Sequence, residues 1–310
     1  MFCRKFFVLL ALLVTSSIAF SHQEVITVPP DLSPGEQYRL VFVTKDAVFK
    51  AESSNIEDYD AWVSEQAATS PALNALTEWR VIGSTSSVSA KIHTDTDNTP
   101  VGSNGVPIYR LDGAVIAYNY DDLWDGAILN NLNITQDGGA TATCGGAWTG
   151  TRANGTALPG DELGAVDGSV VDGALCNREL WMETSPYWAN VNQYLYAISD
   201  VLTVPMDPIE VDIKVRPGSD NACNGVLPIA ILGSDVFDVS QIDPHTLSFE
   251  GLDIRKNGQA ELSCNIEDVN YDGYADFICR YSNGATSGTM SGELLDGTPI
   301  AGAGSYCVAH

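Results

Sequence analysis

A mainly β chain with a minor helical part is predicted by three observations. The sequence is dense in turn dipeptides: Asp-Gly occurs at 112, 125, 137, 167, 172, 272 and 296, and Asn-Gly at 104, 154, 224, 257 and 283. These supply the positive φ angles of tight hairpin turns. Between many of them lie short runs rich in Val, Ile, Leu and Tyr, the composition of half-buried strands. Finally, Val204-Pro205-Met206-Asp207-Pro208 places two prolines within four residues, and a fresh alternation of Ile209, Val211, Ile213 and Val215 begins at once. Proline removes a backbone donor and restricts its neighbour, so this reads as a domain boundary. The expected layout is a leader at 1–21, a first domain at 22–204, a linker at 205–208 and a second domain at 209–310.

The leader comes first. Arg4 and Lys5 precede an apolar run from Phe6 to Val14, and small residues lead to Ala19-Phe20-Ser21. That is the pattern of a secretory signal peptide, with the mature chain starting near His22. Nine apolar residues fall short of the roughly 20 that a membrane-spanning helix needs. A secreted location, extracellular or periplasmic, is the expectation.

In the first domain, strands are expected at 38–44, 79–82, 108–111, 115–120 and 194–199. One helix stands out between the first two. Ser54-Asn55-Ile56-Glu57 has capping-box spacing, and Ile56, Tyr59, Trp62, Val63 and Ala67 fall on one helical face before Pro71 ends the pattern. Between Asp137 and Arg178, ten of 42 residues are glycine, so a long functional loop is expected there. In and beyond it, the indoles of Trp148, Trp181 and Trp188 are candidates for lining a sugar site by stacking, the competing reading being ordinary core packing.

The mature chain retains six cysteines, Cys144, Cys176, Cys223, Cys264, Cys279 and Cys307, an even number that suits an oxidising compartment. Fifteen pairings are open. Their distribution favours Cys144 with Cys176, Cys264 with Cys279 across a hairpin, and Cys223 with Cys307. Zinc is the alternative, but C-x-x-C spacing is absent and histidine scarce.

The sharpest chemical motif is in the second domain. Asp268-Val-Asn270-Tyr-Asp272-Gly273-Tyr274-Ala-Asp276 matches the first nine positions of an EF-hand-type calcium loop: side-chain oxygens at 268, 270 and 272, a glycine for the bend, the carbonyl of Tyr274, and a further carboxylate at 276. Position 12 is Cys279 rather than glutamate, and the flanks read as strands, so the expectation is a calcium loop on a β scaffold. Calcium is the expected cofactor, with an affinity of about 0.1–1 mM, as in extracellular modules.

Residues around that loop carry a resemblance. Ile213-Lys214-Val215-Arg216-Pro217-Gly218-Ser219-Asp220, Gly225-Val226-Leu227-Pro228-Ile229-Ala230-Ile231-Leu232-Gly233, Ile242-Asp243-Pro244, Ile266-Glu267-Asp268-Val269-Asn270 and Leu295-Asp296-Gly297-Thr298-Pro299 resemble a module repeated across secreted bacterial proteins. The resemblance implies an immunoglobulin-like β-sandwich with a calcium hairpin. It departs at Tyr271, where that family usually has glycine. In the first domain, Trp79 with Gly83-Ser84-Thr85, Pro107-Ile108-Tyr109 with Asp112-Gly113, Asn119-Tyr120 with Leu123-Trp124-Asp125-Gly126, Trp148-Thr149-Gly150-Thr151 and Leu195-Tyr196-Ala197-Ile198-Ser199-Asp200 resemble a domain of bacterial exported proteins, many of them bearing a PEP-CTERM sorting tail. That implies an α+β, lectin-like fold related to C-type lectins and endostatin. No such tail precedes Ala309-His310, so free secretion is expected.

Charge narrows the partners. The 310 residues carry 40 acidic and 15 basic side chains, a formal net charge of −25. Phosphate backbones and anionic headgroups would repel such a chain, which argues against nucleic acid and against membrane insertion after leader removal. G-x-S-x-G, H-E-x-x-H and phosphate-loop motifs are absent, and no reactive cysteine stands out. His93, Asp95 and Asp97 form a weaker metal candidate, with solvated turn chemistry as its rival, and Asn133 and Asn154 fit glycosylation acceptors that a bacterial context discounts. The expected function is a non-enzymatic, calcium-binding adhesion or ligand-binding protein with an extracellular glycan or surface ligand as partner. The alternatives are a carbohydrate-active hydrolase with a carboxylate pair and a purely structural surface or matrix component.

Overall fold

The computed structural model describes residues 24–97, 104–215, 226–281 and 287–305. The chain divides after Val204 into two compact units, so residues 205–208 belong with the second. The expected leader at 1–21 and the expected Cys223–Cys307 bridge lie outside the described residues. The structure is mainly β, with one long helix.

The first unit is built on β1 (Gln37–Val43), whose sequence QYRLVFV is nearly continuous in apolar residues. The reason is burial on both faces. Tyr38, Leu40 and Phe42 pack into one core with Tyr59, Val63 and Ala67 of α1 (Ile56–Ala68). Val41 and Val43 pack on the other face with Ile108, Tyr196 and Trp181. Around β1 the sheet order is β2 (Trp79–Val81), β8 (Tyr196–Ser199), β1, β3 (Ile108–Arg110), β4 (Val115–Ala117), and β9 (Leu202–Thr203) also pairs with β1. The β1–β3 pair is parallel and the others are antiparallel.

Arg39 is the one charged side chain that β1 buries. Its guanidinium donates to the Tyr120 hydroxyl at 2.9 Å and to the carbonyls of Thr94 at 2.7 Å and Ser199 at 3.1 Å. The expected helix is present, with its cap one residue later than the capping-box spacing suggested: Asn55 is the N-cap, its side chain accepting from Glu57 N.

The glycine-rich stretch is more ordered than a long loop. It contributes β5 (Gly146–Trp148) and β6 (Ser169–Ala174), which form a three-stranded antiparallel sheet with β7 (Pro186–Trp188) in the order β5-β6-β7. Asp172-Gly173 is therefore not a turn but the interior of β6. Glycine is required there because a Cβ at 173 would lie 1.7 Å from the Trp181 carbonyl oxygen. Other turn dipeptides behave as expected: Gly113, between β3 and β4, has φ 83°, and Gly297 has φ 86°.

The second unit has two four-stranded sheets. One runs β10 (Ile209–Glu210), β17 (Pro299–Ser305), β16 (Ser287–Leu294), β13 (Ile242–Phe249), and the other β11 (Ile213–Val215), β12 (Leu227–Ile231), β15 (Asp276–Tyr281), β14 (Cys264–Glu267). Ile229, Ile231, Phe277 and Tyr281 from one sheet share a core with Phe249, Met290 and Ile300 from the other, which makes this unit a β-sandwich. The alternation after the linker feeds both layers: β10 joins the first sheet and β11 the second.

Two of the expected disulfides are present, Cys144–Cys176 and Cys264–Cys279. Each staples an antiparallel pair. The first lies just beyond the β5–β6 pairing of Gly146 with Ala174, and the second joins register partners of β14 and β15. Among the described residues no helix is long and apolar enough to cross a membrane.

Candidate functional site

A cleft of about 490 Å³ in the first unit sits over the β5–β6–β7 sheet beside the Cys144–Cys176 bridge. Strand register sets the face each side chain takes, and burial decides which of those on that face reach the cleft. Asp172 is opposite Trp148 on β5, and Tyr187 is opposite Val170 on β6, so Asp172 and Tyr187 project from the same face. Gly146 lies on that face too. A Cβ there would meet Gln193 Oε1 at 2.0 Å and Asp172 Oδ2 at 2.1 Å, so its bare backbone lets those two polar groups converge.

Asp172 is only 5% exposed. Its Oδ1 accepts from the Thr184 hydroxyl, and Gln193 supplies a second side-chain hydrogen bond. Burial pushes its carboxyl above the ordinary aspartate range, against the lowering effect of those hydrogen bonds. No Lys, Arg or His is among the described residues lining the cleft, and Asp172 is its only acid. Thr143, Asn192 and the ring of Tyr194 complete the polar and aromatic wall.

The tryptophan expectation needs correction. Trp148 is fully buried, its indole N–H donating to the carbonyls of Phe49 at 3.1 Å and Val191 at 3.3 Å. Trp181 is equally buried, stacked on Trp124 at 5.8 Å and packed near Tyr196 at 6.0 Å. Neither ring is available to a ligand, because both are committed to the core, where large aromatics bury the most apolar surface. Trp188 is exposed, but its register partner Ser169 puts it on the face of the sheet away from the cleft. Of the two tyrosines that line it, Tyr194 is buried and Tyr187 is half exposed at 54%; neither was singled out by sequence reasoning.

The His93, Asp95 and Asp97 candidate is not assembled as a metal site. His93 Nε2 lies 2.9 Å from Asp60 Oδ1, and Asp95 pairs with Arg80.

In the second unit, the 268–276 loop joins edge strand β14 to β15 and folds back on its own side chains. Asp268 Oδ1 accepts from Tyr271 N at 2.7 Å and its Oδ2 from Gly273 N at 3.0 Å, closing the loop around the first carboxylate. Asn270 Oδ1 accepts from Asp272 N, and Asp272 Oδ1 accepts from Tyr274 N. Asp276 is fully buried, and its two oxygens accept from Gly233 N at 3.0 Å and Val269 N at 2.8 Å.

The donors suit a hard cation by chemistry: each of these carboxylate oxygens has a lone pair beyond the one its N–H uses. Yet among the described residues no three His, Cys, Asp or Glu side chains are gathered as a metal cluster. The Asn270 amide also donates to Asp272 Oδ2 at 2.7 Å, a contact that an incoming ion must displace. Tyr271 is 91% exposed and has φ 61°, a left-handed conformation that glycine adopts without strain. The side chain points outward, as expected, and the backbone there is one that glycine would hold without strain.

No family model, curated protein or solved structure matches this chain.

Proposed function

We propose that the protein is a secreted, calcium-binding adhesion or ligand-binding protein without catalytic activity. Its first unit, of lectin-like kind, presents the ligand surface, and its second is an immunoglobulin-like spacer carrying the calcium loop at Asp268, Asn270, Asp272, Tyr274 and Asp276. The observation that supports this most strongly is the cleft over β6, with Asp172 buried at its wall. A single buried acceptor surrounded by hydroxyl and amide groups suits recognition. The leader pattern and the two disulfides support export.

In the calcium loop, Asp268, Asn270 and Asp272 would supply side-chain oxygens and Tyr274 its carbonyl. Asp276 holds the end of the loop to Val269 and Gly233. A bound ion would neutralise the loop's charge and fix the hairpin.

The test is to apply the mature chain to insoluble polysaccharides and cell-surface preparations, with a reducing-sugar assay on the same materials and a calorimetric melt in millimolar calcium and in EGTA. Retention on a surface without sugar release, and a higher melting temperature in calcium, are expected. Release of reducing sugar would overturn the non-enzymatic reading, and identical melts would remove calcium from it.

A further inference from the structure

We propose that the Asp172 cleft is a subsite for one neutral pyranose unit, its hydroxyls donating to the Asp172 carboxylate and its apolar face lying against Tyr187; this rests on the ligand-binding reading above. Three features point to that chemistry.

The first is an unexplained cost. A buried carboxylate with no cation beside it among the described lining residues is unfavourable, and such a group facing a cleft is a candidate for binding. Thr184 and Gln193 leave acceptor capacity on Asp172, because each ionised oxygen takes two donors.

The second is the mix of partners. Thr143, Thr184, Asn192 and Gln193 offer donors and acceptors together. A sugar presents both at every hydroxyl, whereas an ammonium group presents donors only and would use Asp172 but little else in the cleft.

The third is shape. Glycine at 145 and 146 keeps the floor of the cleft low: a Cβ at 145 would stand 3.1 Å from the Tyr194 ring, and one at 146 would strike Asp172 and Gln193. Tyr187, on edge strand β7, leaves its ring half exposed beside that floor. An aromatic wall with convergent polar groups over an open floor accommodates a flat ring that is apolar on one face and polar at its edge.

The experiment uses the intact mature chain on a glycan array, with competition by free glucose, galactose, mannose and glucosamine, and the variants Asp172→Asn, Tyr187→Ala and Trp188→Ala. Binding to at least one neutral glycan is expected, displaced by a neutral hexose. Asp172→Asn, with its melting temperature not lowered, should weaken binding about 10- to 100-fold, the loss of a charge-assisted hydrogen bond. Tyr187→Ala, at an exposed position that does not threaten folding, should weaken it about tenfold. Trp188→Ala should leave it unchanged.

The inference is overturned if no sugar binds, if glucosamine alone displaces, if Trp188→Ala abolishes binding, or if Asp172→Asn and Tyr187→Ala bind like the parent. In the last case the protein still binds glycans, so the general reading stands and only the cleft assignment falls. If no sugar binds, surface retention decides the general reading separately.

Discussion

Each unit buries one aspartate on a strand stapled to its neighbour by a disulfide, and the two are used differently. Asp276 on β15 gives both oxygens to backbone amides, Gly233 N and Val269 N, in a site with no opening. Asp172 on β6 is held by side chains, Thr184 and Gln193, at the wall of a cleft. A carboxylate consumed by backbone donors fixes the fold, because removing it leaves those donors unpaired. One held by side chains at an opening keeps acceptor capacity for a ligand while its burial raises the energy of the charged state.

The largest effect that can break this contrast is Asp276→Ala. It strands two N–H groups and frees the end of the 268–276 loop, so urea denaturation should show the second unit destabilised by about 3–5 kcal/mol. A loss confined to a few tenths would place Asp276 outside the scaffold.

Asp172→Asn should act in the opposite direction. With its folded pKa raised above the unfolded value, Asp172 favours the folded state fully only below the unfolded aspartate range, and that contribution is lost as pH rises through the folded value. The variant should therefore melt like the parent near pH 3 to 4, about the free aspartate pKa, and above it at neutral and higher pH. A neutral-pH melting temperature below the parent's would mean that the charged form is needed for folding.

The smallest effect concerns the loop that Asp276 anchors. Tyr271→Gly relieves a left-handed backbone and should stabilise the second unit by about 1 kcal/mol, with calcium response retained. Loss of stability would show that the tyrosine ring contributes more than its exposure suggests.

Much of the scaffold was legible because its signals are local. The helix announced itself by the spacing of Tyr59, Val63 and Ala67, although its cap is Asn55 rather than Ser54. The hairpins at Gly113 and Gly297 follow from Asp-Gly chemistry, and the Cys264–Cys279 bridge from a turn flanked by strands.

The cleft was not legible, because it is made by non-local register. Nothing near Tyr187 says that it pairs with Val170 while Trp188 pairs with Ser169, so the sequence does not distinguish the aromatic at the cleft from its neighbour on the other face. Asp172-Gly173 looks like a turn, and only the approach of the Trp181 carbonyl shows why glycine belongs in mid-strand. One signal was available: an acid within the run Val170-Val171-Asp172, where an apolar residue would extend the strand. The acidic loop was legible as a motif, but its side chains are occupied with turning the chain, which spacing alone does not reveal.

The proposed division of labour places the ligand in the first unit and the cation in the second. It is tested most directly by measuring glycan-array binding of the intact mature chain in calcium and again in EGTA. Because the cleft is built from first-unit residues alone, the expected result is the same set of bound glycans at similar strength in both buffers. Loss of binding in EGTA would place the ion in the ligand site and contradict the division, and no binding in either buffer would remove the ligand from the cleft.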